Sequence, residues 1–171
     1  TDYISSGLKT VFSRSTWNPT SEVITMGDLL KPKGVVFEIT NACNSRCKSC
    51  NIWQTKIEKN MLSADDILRV FENDIFNEIE SFIITGGEPS LRKDLYKIIA
   101  GLNKVIPKAE ISLSTNGILG NKVFEIVSKL FDEEGISKLT VGVSVDAVGE
   151  KHDELRGVKG NFKSVDKLLN D

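Results

Sequence analysis

The sequence predicts an α/β fold built on a parallel sheet. From Gly34 onward, short β-branched and aromatic runs alternate with segments of helical apolar spacing, strand then helix, four times over. Such alternation implies parallel strands joined by right-handed crossovers. Each strand-like run ends in a small or polar cluster: Thr40-Asn41, Thr85-Gly86-Gly87-Glu88, Thr115-Asn116-Gly117 and Asp146-Ala147. The chain has 171 residues, 40% hydrophobic and 27% charged, which suits one globular domain with a sizeable core.

Residues 1–33 read as a lead-in segment. Turns at Asn18-Pro19-Thr20 and Lys31-Pro32-Lys33-Gly34 flank a short helix expected over Val23–Leu30. Val35–Thr40 is the first strand. Ser63 with Asp66 forms a capping box, and Ile67, Val70, Phe71 and Ile75 follow at helical spacing. Ser81–Thr85 is the second strand, and Leu95, Ile98, Ile99 and Leu102 mark the helix after it. Glu110–Thr115 is the third strand. Asn121 is placed to cap the third helix, which carries Val123, Ile126, Val127, Leu130 and Phe131 and stops at Gly135. Leu139–Val145 is the fourth strand, and Phe162, Val165, Leu168 and Leu169 open the fourth helix. Residues 34–171 form the core domain. No internal repeat or low-complexity segment interrupts it.

Composition excludes several function classes. A formal net charge of −2 gives no electrostatic footprint for nucleic acid or an anionic membrane. No apolar run approaches the about 20 residues that span a bilayer, and no secretion signal is visible. The first residue is Thr1 rather than Met, so the numbering is expected to start inside a longer chain. All three cysteines, Cys43, Cys47 and Cys50, lie within eight residues. An odd, clustered set is no disulfide framework. It points to a metal or redox role in a reducing compartment, the cytoplasm.

The spacing C-x3-C-x2-C falls in the loop after the first strand. Iron–sulfur clusters and structural zinc usually take four protein ligands, and a fourth thiolate is absent. A [4Fe–4S] cluster here would leave one iron for an exogenous ligand, which suits a catalytic cluster. A Cys3His zinc site using His152, the one histidine, and three unligated thiols (or one local bridge and a thiol) are the competing readings.

These residues resemble the radical S-adenosylmethionine (SAM) superfamily, whose hallmark is this cysteine loop after the first strand of a partial (β/α)6 barrel. Thr85-Gly86-Gly87-Glu88-Pro89 is similar to the family's GGEP motif, and Ser112–Gly117 to its third-strand end. Ser144-Val145-Asp146 with His152-Asp153-x-x-Arg156-Gly157 resembles the fourth-strand segment of members with a SPASM-type extension. Two departures stand out. Ser49 occupies a position commonly aromatic, leaving Ile52 or Trp53 for the apolar contact. Only four of the family's six β/α units are present, so the core is expected to be truncated, with its fourth strand an open sheet edge.

The resemblance implies that Cys43, Cys47 and Cys50 ligate a [4Fe–4S] cluster and that SAM chelates the remaining iron. Reductive cleavage of SAM would yield a 5′-deoxyadenosyl radical that abstracts hydrogen from a substrate, a peptide or cofactor precursor. Glu88 and the Gly86 and Gly87 carbonyls would accept from SAM's ammonium. Arg156 would pair bidentately with its carboxylate, with Ser144 donating to it. Asn116 would bond the ribose or carboxylate, and Ser114 would face the interior opposite Leu113. Asp146 is expected to contact ribose or substrate, and His152 to be a structural partner. Arg46 and Lys48 beside the cysteines would favour the reduced cluster and help dock a donor such as flavodoxin or ferredoxin. The alternative function is an iron–sulfur electron carrier or metal-binding module without SAM chemistry.

Overall fold

The computed structural model describes residues 31–170; the helix expected over Val23–Leu30 lies outside them. Strands β1 (Gly34–Glu38), β2 (Ser81–Thr85), β3 (Glu110–Thr115) and β4 (Leu139–Val143) form one sheet in sequence order, every pair parallel. Helices α1 (Ala64–Phe71), α2 (Leu95–Val105) and α3 (Gly120–Glu134) are the crossovers. The expected four-unit α/β arrangement is therefore present. The fourth unit holds two helices rather than one, α4 (Glu150–Arg156) and α5 (Asn161–Asn170).

Strand alternation divides the sheet into two faces. Phe82, Ile84, Ile111 and Leu113 point to the helices and are fully buried, against Leu95, Ile98, Ile99 and Leu102 of α2. The opposite face carries Val36, Ile83, Ser112 and Thr140 in one row across the strands. It is open: Val36 is 69% exposed. In a β/α barrel the helix side is the outer shell and this open side is the interior.

Helix α1 starts as expected. The Ser63 hydroxyl accepts from the Asp66 N–H at 3.2 Å, and the Asp66 carboxylate accepts from the Ser63 N–H at 3.3 Å. The helical spacing fails after Phe71. The Asn73 side chain accepts from the Ile75 N–H and caps a new 3-10 turn, Asp74–Phe76. That break turns Ile75 outward and packs Phe76 edge-on against Phe71, centroids 5.1 Å apart. Asn121 does not cap α3. The helix begins one residue earlier, and the Asn121 side chain accepts from Lys167 of α5 at 3.0 Å. Gly135 does end α3, with φ +60°. Both β1 and β4 stop two residues before their expected ends.

Arg92 fixes the end of β1. Its guanidinium donates to the Ile39 carbonyl at 2.7 Å and the Leu62 carbonyl at 2.9 Å, and pairs with Asp94 at 2.6 Å. That pairing holds the Asp94 carboxyl below the usual carboxylate range. Among the described residues no helix is long and apolar enough to cross a membrane.

Leu102→Ala removes a fully buried side chain and should cost about 2–5 kcal/mol. Val70→Ala, at an exposed α1 position, should cost under about 0.5 kcal/mol. Urea unfolding checks both: Leu102→Ala lowers the midpoint at unchanged slope, and equal losses would show that the core is misassigned.

Candidate functional site

The carboxyl ends of all four strands converge on one cavity of about 180 Å³. Cys43, Cys47 and Cys50 line it from the loop after β1; Thr85, Gly86, Gly87 and Glu88 from the turn after β2. Ser114 and Asn116 line it from the end of β3, and Ser144 and Arg156 from beyond β4. Every residue expected to bind metal or cofactor thus faces one space. The expected apolar contacts, Ile52 and Trp53, line it too.

The glycines are required by the chain itself. Gly86 has φ +140°, and a Cβ there would meet the Thr40 carbonyl oxygen at 2.2 Å. A Cβ on Gly87 would meet the Ala42 carbonyl oxygen at 2.2 Å. The β2 turn lies flat on the start of the cysteine loop, where the Gly87 N–H donates to Thr40 at 2.7 Å and the Glu88 N–H to Ala42 at 2.8 Å. Neither the Gly86 nor the Gly87 carbonyl accepts a hydrogen bond among the described residues.

Glu88 is fully buried. Its Oε1 accepts from the Ser90 N–H, the Ser90 hydroxyl and the Thr115 hydroxyl at 3.1, 2.5 and 2.8 Å. Its Oε2 accepts from the Asn116 N–H at 2.7 Å. Three donors crowd Oε1 and one reaches Oε2, so protein donors take most of the carboxylate's lone-pair sites. The side chain thereby ties the β2 turn to the end of β3. Asn116 faces the cysteine loop, with Nδ2 donating to Asn44 at 2.8 Å and lying 4.0 Å from the Cys43 sulfur. Ser114 lies opposite buried Leu113, as alternation requires.

The segment between β4 and α5 departs most from expectation. Asp146 pairs with Arg156: Nε lies 2.7 Å from Oδ2, and Nη2 donates to Oδ1 at 2.9 Å. The side-on edge of the arginine fork is thereby occupied within the protein. His152 is fully buried, and its Nδ1 accepts from the Asp146 N–H at 3.3 Å, a structural role. Asp153 caps α5, its carboxylate accepting from the Gly160 and Phe162 N–H groups. Those bonds hold the Asp153 carboxyl below its usual range. Composition hid α4, whose seven residues bury only His152. Its signal was the pair of flanking glycines, Gly149 and Gly157.

Arg46 and Lys48 are exposed but engaged. The Arg46 guanidinium donates to the Cys43 and Ser45 carbonyls and stacks over Trp53, 5.3 Å from the ring centroid. Lys48 pairs with Glu154 of α4 at 2.6 Å, and Lys151 joins the same carboxylate. The two lysines hold the Glu154 carboxyl at about 2. Burial pushes the Cys43 thiol up, against the opposing pull of the Ser45 N–H.

All three cysteines are free thiols. Among the described residues no three His, Cys, Asp or Glu side chains close tightly enough on one point to hold a single metal ion. His152, fully buried in α4, is not among the residues that line the cavity with the cysteines and so does not join them as a fourth ligand. A soft donor set spread around one cavity fits a larger iron–sulfur unit.

Residues 37–171 match the family described as the Radical SAM superfamily. The chain belongs to that superfamily. Radical SAM proteins use a [4Fe–4S] cluster and SAM, and the cysteine loop and cavity suit both. Fe-coproporphyrin III synthase of Methanosarcina barkeri is 36% identical over 137 residues, which cover 77% of this chain and 31% of that protein. GTP 3′,8-cyclase of Clostridium perfringens is 32% identical, covering 78% of this chain and 39% of the cyclase. Pre-heme d1 synthase of Dinoroseobacter shibae is 28% identical, covering 87% and 35%. The radical SAM chain thus spans about a third of these relatives' length. Streptococcus suis SuiB, solved with its precursor peptide SuiA, shares the fold at TM-score 0.65 and 22% identity, covering 82% of this chain and 31% of SuiB. SuiB bound to SAM superposes at TM-score 0.63.

Gly87→Ala forces the β2 turn off the cysteine loop, a strain of about 1–3 kcal/mol, and should lower both the melting temperature and the iron bound per chain. Gly135→Asn, at a left-handed position with open space around it, should change neither. Iron analysis with thermal melting checks the pair; full iron loading in Gly87→Ala would show that the close approach is dispensable.

Proposed function

We propose that this chain is part of a radical SAM enzyme acting on a cofactor or peptide precursor, with residues 34–171 as its core and 1–33 leading in. One observation carries the reading: three free thiols, two unpartnered glycine carbonyls, Asn116 and Arg156 share one cavity at the strand ends. A simple electron carrier needs the thiols but not the polar wall around them. The names of the sequence relatives, two synthases of iron tetrapyrroles and a GTP cyclase, support a cofactor precursor.

Cys43, Cys47 and Cys50 hold the cluster in this reading. When bound, cluster and SAM together supply a 5′-deoxyadenosyl radical for hydrogen abstraction; the protein positions and shields them. The Gly86 and Gly87 carbonyls accept from SAM's ammonium, and the buried Glu88 charge beneath them favours that cation. Asn116, Ser114 and Ser144 offer polar contacts to ribose and carboxylate. Arg156 meets the carboxylate with the Nη hydrogens that Asp146 leaves free. Ile52 and Trp53 give the adenine an apolar wall. The exposed side of the cysteine loop, with Arg46 and Lys48, suits an acidic one-electron donor of the flavodoxin or ferredoxin kind. Free clustered thiols suit the cytoplasm.

Anaerobic reconstitution, reduction and addition of SAM should release 5′-deoxyadenosine. Cys47→Ala should abolish both cluster absorbance and product. A full-length protein that loads four irons and yields no 5′-deoxyadenosine would defeat the enzyme reading in favour of the electron carrier.

A further inference from the structure

Helix α4 is docked on the cysteine loop by its carboxyl end. The Arg156 carbonyl accepts from the Arg46 N–H at 2.9 Å, and the Leu155 carbonyl from the Lys48 N–H at 2.9 Å. Gly157, at φ +64°, permits this approach: a Cβ there would lie 2.5 Å from the Arg46 carbonyl oxygen. Cys47 sits between the two bonded residues and is the buried member of the triad.

The Arg156 side chain then turns back to that same cysteine. Asp146 accepts from Nη2 and lies 2.7 Å from Nε, which makes no hydrogen bond, and Nη1 lies 3.6 Å from the Cys47 sulfur, within N–H···S range. Ser45 Oγ is also close, 3.1 Å from the sulfur, but it donates to the Arg156 carbonyl at 3.0 Å. A hydroxyl has one hydrogen. While Ser45 gives it to Arg156, the Ser45 oxygen can only accept from a Cys47 thiol. Once that thiol is a ligand thiolate, its proton is gone; the Ser45 hydroxyl serves either the sulfur or the Arg156 carbonyl, and Arg156 Nη1 is the charged donor to the sulfur. Cys43 faces the neutral amide of Asn116 at 4.0 Å, and Cys50 has no side-chain donor among the described residues. The charged donor is therefore concentrated on one sulfur of three.

We propose that Arg156, oriented by Asp146, is a positioning residue that bonds the Cys47 thiolate and raises the reduction potential of the cluster. The proposal rests on the cluster ligation proposed above. Reduction adds negative charge to the cluster and its thiolates, and an adjacent cation with an N–H bond stabilises the reduced form more than the oxidised one. Hydrogen bonds to ligand sulfur and local charge are established determinants of cluster potential.

The test is an EPR-monitored redox titration of the reconstituted full chain without SAM. Arg156→Ala should lower the midpoint so that the reduced-to-oxidised ratio at a fixed potential falls about tenfold, which is 59 mV for one electron. Arg156→Gln, which keeps an N–H donor without the charge, should shift the midpoint the same way by less. Arg156→Lys, which restores the charge without the fork, should recover part of the loss. Lys97→Ala, which breaks a surface pair with Asp65 on α1, should leave the midpoint unchanged. If Arg156→Ala fails to load a cluster, Arg156→Gln decides. Unchanged midpoints in the loaded Arg156 variants would overturn the proposal and leave the ligation intact. A wild-type chain that binds no cluster would overturn the ligation itself.

Discussion

The rim of the sheet depends on one buried carboxylate. Parallel strands present their carboxyl ends side by side, but nothing in a parallel ladder fixes the loops that leave them. Glu88 does so here. Its backbone N–H reaches the loop after β1, its own turn follows β2, and its carboxylate takes the Thr115 hydroxyl and the Asn116 N–H at the end of β3. An anion with no solvent contact is costly to bury unless donors replace its water. Four donors within 3.1 Å do so. The same bonds fix Asn116 relative to Gly86 and Gly87, so the cavity wall inherits its shape from that single charge.

A second tie completes the circle. The β4 end reaches the cysteine loop through α4, whose last carbonyls hold the Arg46 and Lys48 N–H groups. The loop is gripped on one side by the β2 turn at Thr40 and Ala42, and on the other by α4. Three of the contacts use main chain at glycine, at Gly86, Gly87 and Gly157, where a Cβ would stand 2.5 Å or less from a carbonyl oxygen. The cysteines need no secondary structure of their own because the neighbouring turns impose their path.

The four strands and the core helix α2 were legible because period-2 and period-3.6 apolar patterns report directly on burial. The cavity lining was legible because rim residues are punctuation, small or polar, after each strand. What escaped was whatever depends on which partner a polar group finds. Asn121 is a good N-cap by type, yet Lys167 on a distant helix claims it. Asp146 pairs with Arg156 of its own chain, a partner that its residue type alone does not name. Helix α4 escaped because short charged helices carry no apolar stripe; capping glycines are their only trace. Ile75 was misplaced because one Asn cap resets the helical phase.

These ties govern how substitutions at the rim are to be read. Glu88, Asn116 and Arg156 each line the cavity and each also join two loops. Removing the Glu88 or Asn116 side chain changes the position of the thiols as well as the contact offered to a ligand. Loss of activity alone therefore does not separate binding from architecture at this site. Main-chain contacts supply the separation: the Arg156 carbonyl keeps its grip on Arg46 whatever the side chain, because that bond belongs to the helix end. A variant that loses the guanidinium retains the clamp on the loop and gives up only the bond to Cys47 and the pair with Asp146. Arg156 is thus the position at which the cluster's electrostatic surroundings can be altered with the loop still held.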